Sequence, residues 1–223
     1  MEKTIQKFID PTLIDFNHRY KSWEHCYNAF GNKNESTDSL ALHLGFYLAS
    51  WGMYRGSSGL LWKDYKVHTG AIEIIKDHIS FRNKYVTDLP EAKDVLLVAK
   101  ELIQFYSKIE YYNGKNEKKE VTATNTLISK IILGTLGCIP AFDRYFNLGL
   151  FKKEYSLINM KSLDEIWQIT EKSKNEIEII QNRIYSNSNF WYPPMKIIDM
   201  YYWQKGFDDT EIKSKRKEEI PFE

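Results

Sequence analysis

The sequence predicts an all-α fold, a single compact domain of about eight or nine helices. Apolar side chains recur at intervals of three and four along most of the 223 residues, the spacing that aligns them on one face of an α-helix. Gly and Pro are few, 11 and 6, which favours long regular elements. No alternating run of β-branched residues is long enough to predict a sheet.

The first two predicted helices lie in the N-terminal quarter of the chain. Apolar residues at helical spacing predict a helix over residues 13–30 that ends at Gly31. Thr37 or Asp38 is expected to cap a second helix, residues 38–53. Apolar side chains surround most of the circumference of this second helix, so it is predicted to be central and buried.

The next helices follow a break at residues 55–59, whose sequence is Arg-Gly-Ser-Ser-Gly. Ser57 or Ser58 is expected to cap a helix that starts near Leu60. A further helix is predicted over residues 70–80. These two elements connect the buried second helix to the middle of the chain.

The middle of the chain contains one long predicted helix and one charged loop. Pro90 suits the first position of a helix over residues 90–112, because its missing N–H group has no partner there in any case. Residues 113–120 form the charged loop. The next predicted helix extends from Thr122 to Leu133.

A helical hairpin is predicted at residues 122–150. Gly134 and Gly137 are expected to close its first helix, and Pro140 is expected to open the second, short one. The hairpin is predicted to lie at the centre of the domain, and an arrangement with two helical lobes around it remains open.

The C-terminal part of the chain is predicted to contain two more helices. Residues 162–165, Ser-Leu-Asp-Glu, have the form of a capping box at the start of a helix of about 20 residues. Pro193 and Pro194 begin the last helix, which is expected to end at Gly206. The predicted domain is therefore 1–206, followed by a charged, flexible tail, 207–223.

Composition restricts the classes of function. The chain has 31 basic and 30 acidic residues, so DNA binding would need a local patch rather than a global field. Cys26 and Cys138 match no metal or disulfide pattern, which indicates reduced thiols in a cytoplasmic protein. The N-terminus does not resemble a signal peptide, and no apolar run is long enough for a membrane span. We expect no cofactor and no metal; a protein partner remains open, and the sequence does not determine the oligomeric state.

The strongest chemical candidate is a lysine followed by a turn and an aspartate. Lys130 lies on a predicted helix, and Asp143 lies at the start of the next one, where helix N–H groups and the helix dipole favour a carboxylate. If the two helices fold back on each other, both side chains face one cleft. A lysine nucleophile beside a carboxylate is the arrangement required for Schiff-base chemistry on a deoxyribose.

The order of Ser129-Lys130, apolar helix, turn, Pro140, Asp143 and Arg144 resembles the helix-hairpin-helix DNA glycosylase superfamily, in particular its 8-oxoguanine-glycosylase-like branch. The resemblance covers residues 122–150, and it implies that Lys130 is the nucleophile and Asp143 the assisting carboxylate. Two features depart from the family: residues 121–125 lack the glycines of the DNA-gripping hairpin, and the Pro-to-Asp spacing is one residue longer. The alternative is a snorkelling Lys130 on an amphipathic helix, with Asp143 paired to Arg144 or a lysine.

A second candidate is the segment Trp51-Gly52-Met53-Tyr54-Arg55-Gly56-Ser57-Ser58, which resembles an element of bacterial proteins of unknown function. Trp51 and Tyr54 are candidates for stacking on a base, and Arg55 with Arg144 for contacting a phosphate. Ser57 and Ser58 offer hydroxyl groups at a helix start. The alternative is a helix end, a turn and a new cap, with Trp51 in the core.

A third pattern is Arg19 followed by His25, which resembles the Arg and His of the helical HEPN ribonucleases. A solvated helix face explains these residues better. Two functions therefore remain open: a glycosylase-like enzyme or DNA-binding protein that uses Lys130 and Asp143, and a non-enzymatic helical interaction protein, for example a component of a multi-gene bacterial system.

Overall fold

The structure is a computed structural model that describes residues 1–55 and 59–218, and their side chains up to residue 212. This part of the chain forms ten α-helices and one small antiparallel sheet, so the predicted all-α fold is confirmed. The helices are α1 (Glu2–Ile14), α2 (Lys21–Gly31), α3 (Thr37–Ser50), α4 (Thr69–Asp77), α5 (Ala92–Tyr106), α6 (Asn125–Thr135), α7 (Arg144–Phe151), α8 (Met160–Lys172), α9 (Lys174–Ser188) and α10 (Pro194–Glu218). The strands are β1 (Glu110–Tyr112) and β2 (Lys118–Glu120).

The N-terminal region contains two helices where one was predicted over residues 13–30. Helix α1 includes Pro11 and ends at Ile14, and α2 begins only at Lys21. Between them the Asp15 carboxylate accepts the Asn17 N–H at 2.8 Å. Such a local bond offers the backbone an alternative to the helix, which explains the break. The predicted end of α2 at Gly31 is confirmed.

Helix α3 is capped by Ser36, whose hydroxyl accepts the Ser39 N–H at 3.1 Å. The predicted caps, Thr37 and Asp38, instead lie in the first turn of the helix. Leu42 and Phe46 are exposed. The prediction that this helix is buried on all sides is therefore wrong, because one of its apolar faces is turned to solvent.

Helix α6 is the central helix of the fold. All of its residues from 127 to 135 are buried, and α2, α3 and α5 pack around it. Gly134 lies inside α6 rather than closing it. A Cβ there would lie 2.4 Å from the Tyr47 ring, so the glycine lets α3 approach α6 closely. Gly137, with φ +67°, follows the helix end.

The segment between α3 and α6 is less helical than predicted. The helix predicted to start near Leu60 is a single 3₁₀ turn, Leu60–Trp62. The helix predicted at 70–80 corresponds to α4 followed by the 3₁₀ turn Ile79–Phe81. Helix α5 begins at Ala92, two residues after Pro90, and ends at Tyr106. The charged loop 113–120 is the turn and second strand of a hairpin in which Tyr112 pairs with Lys118.

The C-terminal helices also differ from the prediction. The capping box is formed by Asn159 and Ser162 at the start of α8, three residues earlier than predicted. The expected helix of about 20 residues is interrupted at Ser173, which separates α8 from α9.

Helix α10 continues through Gly206 to Glu218, so Gly206 does not end it and residues 207–218 are helical. A Cβ on Gly206 would lie 1.9 Å from the Tyr145 carbonyl oxygen, and one on Gly149 would lie 1.9 Å from that of Tyr202. The two glycines therefore permit a close crossing of α7 and α10, which explains Gly206 without a helix end. The rest of the predicted tail, residues 219–223, lies outside the described residues.

One hydrophobic core connects helices from α1 to α10. Its largest fully buried side chains include Trp23, Tyr47, Tyr106, Phe142 and Phe146. Burial of such large apolar surfaces is the main favourable contribution to folding. No helix in the described part of the chain is long and apolar enough to cross a membrane.

Candidate functional site

Lys130 and Asp143 meet at the turn between α6 and α7. Lys130 Nζ lies 2.9 Å from Asp143 Oδ2, and the two side chains are only 4% and 13% exposed. The other carboxylate oxygen, Oδ1, accepts the Phe146 N–H at 3.1 Å and so caps α7. Pro140 does not open α7, because this cap sets the helix start at Arg144. The structure thus brings together the two residues that the sequence singled out.

The turn that carries Asp143 is held by hydrogen bonds from α6 and α10. The Ser129 hydroxyl accepts the Phe142 N–H at 2.8 Å, and the Thr126 hydroxyl donates to the Phe142 carbonyl at 2.9 Å. From α10, Asp199 Oδ1 accepts the Ala141 N–H at 2.9 Å. These bonds fix the backbone immediately before Asp143, and with it the distance to Lys130.

A second buried ion pair lies beside the first. Lys196 Nζ is 3.0 Å from Asp199 Oδ2, and both side chains are almost completely buried. The Lys196 ammonium also lies 5.0 Å from the Phe8 ring centroid and 5.1 Å from that of Trp23. The sequence interpretation missed this pair, although a Lys and an Asp three positions apart within the apolar run 195–200 were its signal.

Trp51 links the two ion pairs. Lys130 Nζ lies 4.9 Å and Lys196 Nζ 5.7 Å from the centroid of its ring, within the range of cation–π attraction. Tyr20 lies nearly parallel to Trp51, with centroids 5.1 Å apart. The indole Nε1 is buried and has no hydrogen-bond partner among the described residues. Of the residues predicted to bind substrate, Trp51 is therefore the one that lies beside the Lys130–Asp143 pair.

Arg19 approaches the same ring from the surface. Its Cζ atom lies 5.4 Å from the centroids of both Trp51 and Tyr20, and its Nη1 donates to the Ser50 carbonyl at 3.3 Å. Burial raises the pKa of Tyr20, and the neighbouring Arg19 guanidinium acts in the opposite direction. Arg19 lies before α2, whereas His25 is an exposed residue of that helix.

The two carboxylates also affect a buried tyrosine. Burial raises the pKa of Tyr47 well above its ordinary value, and the negative charges of Asp199 and Asp143 add to this effect. Tyr47 therefore stays protonated next to the two ion pairs.

Tyr54 belongs to a different cluster. Its hydroxyl lies 2.8 Å from His68 Nε2, and His68 Nδ1 lies 2.7 Å from the Tyr106 hydroxyl. Burial lowers the pKa of His68 to about 3, so the imidazole is neutral at pH 7. A neutral ring has one N–H and one acceptor nitrogen, which matches a chain between two hydroxyls. This chain explains Tyr54 as a structural partner of His68.

Two of the remaining predicted binding residues, Arg55 and Arg144, are described by the structure, and neither joins the Lys130–Asp143 pair. Arg144 pairs with Glu154 at 2.8 Å, and both side chains are exposed. Arg55 is exposed and packs over Gly52, where a Cβ would lie 3.0 Å from its Nε. Ser57 and Ser58 lie outside the described residues.

The alternative interpretation, in which Lys130 is a snorkelling lysine, is wrong, because its ammonium is buried against Trp51 and Asp143. Asp143 pairs with this lysine, and Arg144 pairs elsewhere. In the described part of the chain, no cluster of His, Cys, Asp and Glu is arranged to hold a metal ion. Cys26 and Cys138 are both buried free thiols.

No family model matches the chain, and comparisons with curated proteins and with solved structures give no match.

Proposed function

We propose that the chain is a glycosylase-like, DNA-processing enzyme in which Lys130 is the nucleophile and Asp143 the assisting carboxylate. The observation that carries this proposal is the 2.9 Å contact between their side chains beside the Trp51 ring. A nucleophile within hydrogen-bond reach of a base is an arrangement typical of covalent catalysis. The resemblance of residues 122–150 to the glycosylase superfamily gives the same two residues the same roles.

The proposed reaction needs a neutral amine. The Lys130 ammonium first gives up a proton, and Asp143 is the acceptor within hydrogen-bond distance. The amine then forms a bond to C1′ of the deoxyribose as the bond from C1′ to the base nitrogen breaks. The base leaves with that electron pair and takes up the proton that Asp143 received. The nitrogen on C1′ then transfers a proton to O4′ as the C1′–O4′ bond breaks with its electron pair on O4′, which yields a protonated imine between Lys130 and the opened sugar.

Access is the main energetic requirement of the proposal. The Lys130 side chain is 4% exposed, so a nucleotide reaches the amine only after local opening of the residues that cover it. Local openings in proteins cost anywhere from about zero to the full free energy of unfolding. A substrate that stacks on Trp51 offsets part of this cost, since stacking on an aromatic ring contributes about 1–3 kcal/mol per base.

Borohydride trapping tests the proposal, because it reduces the imine to a stable covalent adduct. The substrates are DNA duplexes that contain an abasic site or a panel of modified bases. The test variant is K130Q/D143N, which keeps a hydrogen-bonded pair and the helix cap, since Asn caps as well as Asp. The matched control is K196Q/D199N, which alters the second buried pair and leaves an acceptor for the Ala141 N–H.

The expected result is an adduct with the wild type and with K196Q/D199N, and none with K130Q/D143N. Adducts of equal yield from all three proteins would indicate nonspecific trapping by other lysines. That result, or no adduct on any substrate, contradicts the proposed role of Lys130.

A non-enzymatic interaction protein is the second candidate function. One observation favours it: Ile14, the last residue of α1, and Phe16, just after that helix, are 85% and 83% exposed. Exposed patches of large apolar groups mark contact sites. This function predicts a complex with the product of a neighbouring gene, measured by sedimentation velocity. The complex would be lost in I14S/F16S and retained in K130Q/D143N; the reverse pattern would argue against it.

A further inference from the structure

The arginines of this chain differ in how their charge is compensated. Arg144 and Arg183 each pair with a glutamate, Glu154 and Glu2. Arg82 donates to the carbonyls of Thr135 and Tyr27 and lies over the Tyr27 ring. Arg19 is exposed and has no carboxylate partner among the described residues. Arg19 donates to the Ser50 carbonyl and interacts with the Tyr20 side chain, which leaves most of its N–H groups available to a ligand.

Arg19 also changes the charge balance around Trp51. The ammonium groups of Lys130 and Lys196 are matched by the carboxylates of Asp143 and Asp199. The Arg19 guanidinium lies at the same ring and has no such match in the described part of the chain. The site therefore has an uncompensated positive charge on its solvent side, while the chain as a whole is nearly neutral.

The geometry holds the guanidinium in a defined position. It lies 5.4 Å from the centroids of Tyr20 and Trp51, whose rings are inclined by only 17° to each other. Arginine stacks on aromatic faces and still presents its N–H groups to a phosphate. Contact with the rings reduces the freedom of the side chain, so less entropy is lost when it binds an anion.

Arg19 lies within reach of a substrate held at Lys130. The Arg19 Cζ and Lys130 Nζ atoms lie 5.4 Å and 4.9 Å from the same centroid, so they are separated by no more than about 10 Å. A nucleotide unit brings a phosphate within that range of its own C1′ carbon.

We propose that Arg19 contacts a DNA phosphate next to the nucleotide that enters the site, with its guanidinium oriented by Tyr20 and Trp51. This inference rests on the proposed DNA-processing function and names a residue that contacts the substrate. The sequence suggested two arginines for this role, Arg55 and Arg144. Of these, Arg144 is paired with Glu154.

Fluorescence anisotropy with a labelled duplex that contains a tetrahydrofuran abasic analogue tests this assignment. The analogue has no C1′ hydroxyl and forms no imine, so binding is measured apart from chemistry. The variants are R19Q and R19K, with R144Q as the matched control that removes the same charge from a paired arginine. Thermal unfolding checks that all variants fold.

R19Q is expected to weaken binding about tenfold, because it removes a charged hydrogen-bond donor from the phosphate. It should also reduce the slope of log K against log salt by about 0.9 for one lost phosphate contact on duplex DNA. R19K should keep the wild-type slope, and R144Q should keep both slope and affinity.

Equal affinity and slope in R19Q and the wild type would overturn the inference, as would a wild type that binds the probe without salt dependence or not at all. The two proposals fail separately. Arg19-dependent binding without a Lys130 adduct leaves this inference intact and refutes the chemistry. A Lys130 adduct with unchanged R19Q binding supports the proposed chemistry and overturns the assignment of Arg19.

Discussion

At the scale of single residues, the most unusual feature is the burial of two lysine–aspartate pairs next to Trp51. Removing water from such charges costs several kcal/mol for each ion, and removing one partner of a buried pair costs about 3–5 kcal/mol. Apolar residues of similar volume often replace such pairs without loss of stability. A chain that keeps Lys130 and Asp143 buried therefore retains groups that stability alone does not require, which agrees with a chemical role.

His68 gives a prediction that is independent of function. Its pKa is lowered by burial to about 3 in the folded protein and is about 6.5 in an unfolded chain. The unfolded state therefore binds more protons between these values, so stability falls as the pH falls below 6.5. Between pH 7 and pH 5 the wild type should lose about 2 kcal/mol more than H68Q does.

Urea unfolding of both proteins at pH 7 and pH 5 measures this difference. Gln is the suitable replacement, because it offers a donor and an acceptor to Tyr54 and Tyr106. Other titrating groups contribute equally to both proteins and cancel in the comparison. An equal loss of stability in the two proteins would show that His68 is not a neutral, buried group.

Some residues of the candidate site were predictable and others were not. Lys130 and Asp143 were predictable, because a helix, a tight turn and a carboxylate at the next helix start restrict how far apart the two side chains can lie. Arg19 comes from the segment before α2 and Lys196 comes from α10, so their approach to Trp51 depends on tertiary packing. Tyr54 was predicted as a candidate for stacking on a base, and nothing in the local sequence indicates its bond to His68.

At the scale of elements, helix existence was easier to predict than helix ends. Gly206 illustrates the reason. A glycine after an apolar run is typical of a helix end, but here it lies within α10 and allows contact with α7. Helix propensity alone does not distinguish a glycine that is needed for a positive φ from one that is needed because a neighbouring helix leaves no room for a side chain. The break at residues 15–20 was missed for a related reason, because it depends on the Asp15 side-chain bond.

The crossing of α7 and α10 gives the second structural prediction. G206A adds a methyl group 1.9 Å from the Tyr145 carbonyl oxygen, so the two helices must separate. Such overpacking costs about 1–3 kcal/mol, and thermal unfolding should show a correspondingly lower midpoint.

G114A is the control for this experiment. Gly114 lies in the hairpin turn, where the added Cβ meets only the end of the Trp62 side chain at 3.1 Å. A small change in G114A and a large one in G206A is the expected pattern. Equal midpoints for G206A and the wild type would mean that α7 and α10 do not cross as closely as described.

At the scale of the whole molecule, one continuous core joins helices from α1 to α10, with α6 at its centre. The all-α class followed from periodicity and composition, because both are properties of the sequence averaged over many residues. Two elements were predicted to be central, the helix at 38–53 and the hairpin at 122–150. Of these, α3 exposes Leu42 and Phe46, whereas α6, the first helix of the hairpin, is buried from 127 to 135.

A continuous core predicts cooperative unfolding. Urea denaturation followed by tryptophan fluorescence and by far-ultraviolet circular dichroism should give one transition with the same midpoint. Two separated transitions would indicate helical lobes that unfold independently, and would contradict a single core built around α6.

The proposed Lys130 nucleophile is tested most directly by locating the covalent bond. The wild type is trapped with borohydride on abasic DNA, the DNA is digested to the residual sugar, and the protein peptides are mapped by mass spectrometry. A Lys130 nucleophile predicts one predominant modified peptide, with the added mass on Lys130, and its absence from K130Q/D143N. Modification spread over exposed lysines with Lys130 unmodified would contradict it.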